Sequence, residues 1–309
     1  MIITVTLNPA IDKTAHVEKM IPNGLNRLNN IILDVGGKGI NVSKAIKELG
    51  GKSICTGFVA GSNGKWIEDK LDSLGLEYKF RHVEGNTRIN LKVLDRDMNL
   101  TELNDTGDQI SENDLRYLKE DLIEMVKPND IVVLAGSVPS GVPVTIYQEL
   151  ITMIKAKGAK VILDADGDLF TQGIKASPTL IKPNKYELCK YFGISEEVND
   201  VELVSHVKKL LYKGIETVVI SLGSRGAIFI TNEETAYVKG LNIIAHSAVG
   251  AGDSMVGALA YGISEDLELI PLIKLAVATS AGAVMTKGTK APSRSVVEML
   301  MKEVEIDFR

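Results

Sequence analysis

Hydrophobic and polar positions change period at regular intervals along the chain. Short, mostly apolar runs at Ile2–Leu7, Ile54–Ala60, Ile131–Ala135, Val161–Leu163, Leu180–Ile181, Thr217–Ser221 and Ala227–Ile230 predict buried strands. Segments of helical period lie between them, at Lys65–Leu74, Glu112–Val126, Val144–Ala156, Tyr186–Phe192 and Val201–Tyr212. Two more helices are expected after Gly252, the first opening on the small apolar run Ser254–Gly262. Strand followed by helix, repeated, implies a parallel sheet covered on both faces. The expected fold class is therefore α/β, with three layers and a mostly parallel central sheet.

Two stretches break that rhythm. Thr14–Val17 and Asn30–Leu33 alternate and flank the turn signal Ile21-Pro22-Asn23-Gly24; Thr87–Val93 and Asn99–Leu103 bracket Asp95-Arg96-Asp97. Two strand pairs inserted between βα units predict a small β-sheet lid, from segments at about 12–35 and 86–105 of a single domain spanning 1–309.

Polar clusters follow the predicted strands: Asn8-Pro9-Ala10-Ile11-Asp12, Gly136-Ser137-Val138-Pro139, Asp164-Ala165-Asp166, Lys182-Pro183-Asn184-Lys185-Tyr186-Glu187 and Leu222-Gly223-Ser224-Arg225-Gly226. In an open α/β sheet these ends share one edge, where ligands bind. Asn8 and Asp12 are candidate ligands for sugar hydroxyls, or members of an Asx turn. Gly36-Gly37-Lys38-Gly39-Ile40-Asn41 leads three glycines into a helix marked by Ile40, Ala45, Ile46 and Leu49. Ala248-Val249-Gly250-Ala251-Gly252-Asp253-Ser254 does the same at the last site. A glycine turn opening a helix offers free N–H groups and a positive dipole end to a phosphate or a developing anion. Asp253 is there either a helix-capping acid or a carboxylate beside that phosphate. Asn184 and Glu187, three apart at a helix start, also fit a capping box.

Composition narrows the function classes. The chain has 309 residues, 45% hydrophobic, and a formal charge of -5 with no Lys/Arg run, so it has a large core and no nucleic-acid signature. Cys55 and Cys189 are distant and read as reduced core residues; the N-terminal run lacks a signal-peptide pattern and no apolar run reaches spanning length, so a soluble cytoplasmic protein is expected. No Gly-x-Gly-x-x-Gly occurs, and Gly50-Gly51-Lys52-Ser53 lacks the first glycine of a Walker loop, since position 46 is Ile. The histidines, His16, His82, His206 and His246, have no metal-ligand spacing.

Thr6-Leu7-Asn8-Pro9-Ala10-Ile11-Asp12, Gly36–Gly51, Lys-Pro-Asn-x-x-Glu at Lys182–Glu187, and Val249–Ser254 together resemble the PfkB (ribokinase-like) carbohydrate kinases, almost end to end. Gly37–Asn41, Thr87-Arg88-Ile89-Asn90 and Gly136–Pro139 are similar to the branch that phosphorylates sugar phosphates. The resemblance implies fructose 1-phosphate as the expected acceptor, tagatose 6-phosphate as its alternative, and ATP with Mg²⁺ as cofactors. It implies Asp253 as catalytic base and Gly250, Ala251 and Gly252 as its anion hole. It places Asn8, Asp12, Gly37, Lys38 and Asn41 on the sugar, and Arg88, Arg27 and Ser137 at the phosphate end. Asn184 and Glu187 would act on Mg²⁺ largely through water, while Lys185, Ser221, Gly223 and Gly226 would approach the nucleotide. Two departures stand out: Ala248, where many relatives have threonine, and Asp164-Ala165-Asp166, where relatives often have serines. Neither is expected to touch the base. A non-catalytic sugar- or nucleotide-binding regulator is the reading from a different class, and an uncovered lid sheet suggests a homodimer.

Overall fold

The computed structural model describes residues 1–97, 99–286 and 288–309; Met98, inside the second expected lid segment, lies outside them. The chain opens with β1 (Ile2–Thr6), β2 (Ala10–His16) and β3 (Asn29–Gly36). Next come α1 (Lys38–Glu48), β4 (Ser53–Ala60), α2 (Gly61–Leu74), β5 (Glu77–Val83), β6 (Ile89–Leu94) and β7 (Leu100–Leu103). Then follow α3 (Glu112–Met125), β8 (Ile131–Ala135), α4 (Ile146–Ala156), β9 (Lys160–Asp164), α5 (Gly167–Gly173) and β10 (Leu180–Ile181). After these come α6 (Lys185–Phe192), α7 (Asp200–Leu211), β11 (Thr217–Ser221), β12 (Gly226–Thr231) and β13 (Thr235–Lys239). The chain ends with α8 (Ala251–Ser264), α9 (Leu269–Val284), α10 (Arg294–Met301) and β14 (Ile306–Phe308).

Among the described residues, ten strands form one sheet in the order β14-β13-β12-β11-β10-β9-β8-β1-β4-β5. The seven strands from β11 to β5 are parallel. Alternation along each strand sends successive side chains into opposite layers. Ile3, Val5, Val132, Leu134, Val161 and Leu163 pack with Leu118, Leu122, Ile146 and Tyr147 of α3 and α4. Ile2, Ile131, Val133 and Ile162 pack on the other side with Val42 and Ile46 of α1 and Val256 and Leu259 of α8. Both faces are covered, which is why the strands read as almost unbroken apolar runs.

Three expectations are corrected. Ala227–Ile230 is a strand, within β12, but it runs antiparallel to β11. Only Leu222–Arg225 separate the two, too short for the crossover that a parallel pair needs. The antiparallel edge continues through β13 and β14, and these strands, with β5, carry too many polar positions to register as buried runs. From Ala251 onward there are three helices, α8, α9 and α10, where two were expected, and α5 was not anticipated.

The excursions form a second sheet of order β3-β2-β6-β7. Its parallel β2–β6 pair brings Asp12 opposite Asn90, and β2–β3 brings it opposite Asp34. The main sheet's C-terminal ends, after β1, β8, β9, β10 and β11, carry the polar clusters named above. Asn184 pairs with Ser221 across two of these ends as an isolated bridge.

Candidate active site

The turn before α8 gathers the site. Gly250 precedes the helix with φ of 83°, a left-handed conformation that a side chain disfavours, and Thr289 Cα lies 3.4 Å from where its Cβ would be. Ser254 N donates to Gly250 O at 2.9 Å, and Ala251 N makes a long 3.4 Å contact with Ala248 O. The amides of Gly250, Gly252 and Asp253 have no acceptor among the described residues. Three unspent donors at a helix start favour an anion. The Lys182 ammonium adds charge there, 3.3 Å from the place a Cβ on Gly252 would take.

Asp253 is buried and faces polar groups from the main sheet and α1. Asn41 Nδ2 donates to Asp253 Oδ2 at 2.8 Å. Burial, then the charge of Asp164, push the Asp253 carboxyl above the usual carboxylate range, against the Asn41 bond, Lys38 and Lys182. A raised carboxyl in a cleft is a better proton acceptor than one in water, provided that it remains ionised.

Asp164, at the end of β9, sits between two ammonium groups. Lys182 Nζ lies 3.3 Å from its Oδ1 and Lys38 Nζ 3.6 Å from its Oδ2. Burial alone would raise the Asp164 carboxyl, but the two lysines more than offset it and hold it low. In return Asp164 is the main reason the Lys38 ammonium is raised above its ordinary range. Asp164 forms no hydrogen bond to Asp253, yet its charge raises that carboxyl, a coupling the sequence did not suggest.

Asp12, on the lid sheet, accepts from Asn90 Nδ2 at 3.1 Å and pairs with Lys92 Nζ at 3.0 Å. Gly37, the residue before α1, has φ of 119°, and a Cβ there would lie 2.6 Å from Thr6 Cγ2, so the position has no room for a side chain. Asn8 Nδ2 donates to Thr106 O at 3.0 Å and lies 3.5 Å from Ser137 Oγ. Arg88 is half-buried rather than a solvated face charge. Its Nη1 donates to Asp105 O at 2.6 Å and its Nη2 to Asn8 O at 2.9 Å. Asn8, Arg88, Thr106, Ser137, Pro139 and Ser140 line an open cleft of about 380 Å³.

The nucleotide-side candidates are less converged. Asn184 and Glu187 form a complete capping box: Asn184 Oδ1 accepts from Glu187 N, and Glu187 Oε2 accepts from Asn184 N, both at 2.8 Å. Burial raises the Glu187 carboxyl above its usual range. Lys185 spends its ammonium on Val198 O. Ser221 ends β11, Gly223 has φ of 61°, and Gly226 abuts Val238 O so closely that a Cβ would meet it at 2.0 Å. Arg27 is exposed in the β2–β3 loop and forms no hydrogen bond or ion pair among the described residues. It is therefore not bonded to any of the other candidates.

Sequence reasoning passed over Lys182, Lys92, Asn90 and Lys44 as site residues. Lys182 had a signal: it directly precedes the Pro-Asn-x-x-Glu string at a strand end. Lys44 had one too, three residues after Asn41 on the same helix face.

No helix among the described residues is long and apolar enough to cross a membrane. Residues 5–295 match the family described as pfkB family carbohydrate kinase. The 1-phosphofructokinase of Bacillus subtilis (strain 168) is 37% identical over 307 residues, 99% of each chain. That of Haemophilus influenzae (strain ATCC 51907 / DSM 11121 / KW20 / Rd) is 34% identical over 311 residues, covering 99% of this chain and 97% of its own. The crystal structure of phosphofructokinase-2 from Escherichia coli in complex with potassium superposes with a TM-score of 0.93 at 27% identity, over 98% of both chains.

Proposed function

The chain belongs to the PfkB family of carbohydrate kinases, and from that premise we propose that it transfers the terminal phosphoryl group of ATP to the free primary hydroxyl of fructose 1-phosphate, giving fructose 1,6-bisphosphate. One observation carries the reading: a buried carboxylate at Asp253 adjoins unspent helix-start amides and the Lys182 ammonium. The names of the relatives, both 1-phosphofructokinases matched over nearly their full length, support this acceptor over other ketose phosphates.

Phosphoryl transfer needs in-line placement, charge neutralisation and a modest base. In this reading Asp253 orients the acceptor hydroxyl and takes its proton as the new O–P bond forms. The amides of Gly250, Gly252 and Asp253, with Lys182, neutralise charge on the transferring group. Asp12, steadied by Lys92 and Asn90, and Asn8 with Asn41 hold sugar hydroxyls. Arg88, Ser137 and the cleft beside them take the phosphate already on the sugar. Lys38, 3.6 Å from Asp164, also feels the charge of Asp253 and offsets part of the negative charge of the two carboxylates.

Among the described residues, no group of three or more His, Cys, Asp or Glu could hold a metal by itself. Asn184 and Glu187 offer oxygen donors, and Glu187 Oε1 remains without a hydrogen-bond donor among the described residues. That fits Mg²⁺, which keeps several waters and binds through one or two carboxylates plus substrate phosphates. When bound, it would neutralise phosphate charge, held by Asn184 and Glu187 through water. The capping box and the metal role are compatible, because only one Glu187 oxygen serves the cap.

The test is a substrate panel. Fructose 1-phosphate, tagatose 6-phosphate and fructose 6-phosphate, each with MgATP, are ranked by kcat/KM from ADP release. Fructose 1-phosphate should lead by at least about 10-fold, which is roughly 1.4 kcal/mol of discrimination. Another acceptor in first place rejects this substrate; no turnover with any of the three points to the regulator instead.

We read residues 1–309 as one kinase domain, acting in the cytoplasm where ATP and sugar phosphates are, with the four-stranded sheet as its lid. Leu33, Leu91 and Leu103 occupy one cross-strand row with Lys13, and Ile89 shares their face. Leu33, Ile89 and Leu103 remain 44%, 41% and 53% exposed. An exposed sheet face with this many apolar residues, interrupted by Lys13, supports a homodimer paired through the lids. The wild type should sediment as a dimer at micromolar concentration, and the double variant Leu33→Glu/Leu103→Glu as a monomer. A monomeric wild type removes this assembly.

A further inference from the structure

The Asn41 side chain has two polar ends, and they meet different partners. Its Nδ2 serves Asp253, while its Oδ1 accepts from Lys44 Nζ at 3.3 Å. Lys44 lies one turn further along α1 and its side chain is only 10% exposed. The same ammonium donates to Val35 O at 2.6 Å and to Asp34 Oδ1 at 3.4 Å, so its three donors all point to protein acceptors. Asp34 Oδ2 in turn accepts from Thr289 Oγ1 at 3.3 Å, and Thr289 flanks Gly250 in the anion-binding turn. Lys44 thus joins strand β3 of the lid, helix α1 and the start of α8.

An ammonium can donate but cannot accept. Only the oxygen end of the Asn41 amide can therefore face Lys44, which leaves the NH₂ end for Asp253. We propose that Lys44 is a positioning residue for the base, fixing the orientation of the Asn41 amide so that Asp253 always meets a donor. The proposal rests on Asp253 acting as the base. Without the ammonium, the amide is free to turn over and set its oxygen against the carboxylate, which favours the protonated, inactive acid.

The charged surroundings agree in sign. Asp253 faces Asp164, Lys38 and Lys182 besides Asn41, and burial already pushes it up. Lys44 faces Asp34, Asp12 and Asp253, and burial pulls it below the ordinary lysine range against all three. Packing alone does not account for a charge in this place. A methionine of similar length would fill it, and exchanging buried ions for apolar groups is often neutral or stabilising.

The experiment measures kcat against pH for wild type, Lys44→Met and Lys44→Arg at saturating MgATP and sugar phosphate, with melting temperature alongside. Lys44→Met should move the acid limb of kcat up by about one pH unit, leaving KM for ATP unchanged. Lys44→Arg keeps charge and donors and should restore the limb. A uniform fall in kcat at every pH, or an unmoved limb in Lys44→Met, overturns the proposal. Should Lys44→Met fail to fold, half-exposed Asp34→Asn decides. It removes the largest influence keeping Lys44 charged, so the loss of kcat on deprotonation of Lys44 must set in at lower pH, and an unchanged profile overturns the proposal. Wild-type turnover tests the kinase reading by itself; only the displacement of a limb from its wild-type position tests the role of Lys44.

Discussion

Asp253→Asn is expected to lose about 100- to 10,000-fold in kcat while folding and binding ATP as the wild type does. Asparagine keeps the shape, and its amide oxygen can still accept from Asn41 Nδ2, so the 2.8 Å contact survives. What it cannot do is take a proton from an incoming hydroxyl. The stability consequence has a definite sign. The Asp253 carboxyl is raised in the folded chain, chiefly by burial. Its contribution to stability is therefore fully present below the unfolded value of about 3.9 and is lost as pH rises through the folded one. At neutral pH the wild type carries the cost of ionising a buried group beside Asp164, and the amide does not. The variant should melt at the same temperature or higher at pH 7 to 8, as expected where catalysis keeps a destabilising group in place. ADP-release kinetics and a melting curve on one preparation check both halves. Undiminished turnover would remove Asp253 from the role of base.

The edge of the sheet was legible in sequence because it is written in local chemistry. Ile131–Ala135, Leu180–Ile181 and Thr217–Ser221 are apolar runs stopped by Gly136, Lys182 and Leu222-Gly223, and the observed strands have those same bounds. Gly250 could be singled out because a glycine before a helix offers conformations other residues avoid, and the structure gives it a positive φ. Glu77–Val83 alternates polar with aromatic residues and sits at a sheet edge, where the pattern of a buried strand is weakest. Lys182, Lys44 and Asp164 were missed as site residues for a different reason. Pattern reading assigns charge to the surface, and only pairing makes such burial tolerable. That pairing joins Lys182 to Asp164 and Lys38 to the same carboxylate across gaps of many residues, so it exists only once the sheet has formed. The capping box at Asn184 and Glu187 shows the limit from the other side: a local motif was plain, but the second use on Mg²⁺ that we propose is not a local property.

Arg88→Ala is expected to raise KM for the sugar phosphate by about 10- to 100-fold, the loss of one or two charge-assisted hydrogen bonds, with KM for ATP within about 2-fold of wild type. Burial holds the Arg88 guanidinium below its usual range, against the pull of Asp12 and Asp105. Its Nε is buried without an acceptor among the described residues, so the side chain has a hydrogen bond still to make. A doubly charged phosphate in the adjoining cleft would supply the counter-charge to the guanidinium. Arg88 has a second effect, since its Nη donors hold Asp105 O and Asn8 O, and both segments wall the cleft. Arg88→Lys separates the two contributions. Lysine keeps the charge but cannot bridge two carbonyls in a planar fork, so recovery of KM measures the charge and the remaining deficit measures the wall. Initial rates with each substrate varied against saturating partner are sufficient. Equal rises in KM for sugar phosphate and ATP would place Arg88 outside the acceptor end, and the 380 Å³ cleft would then need another cation to receive the phosphate.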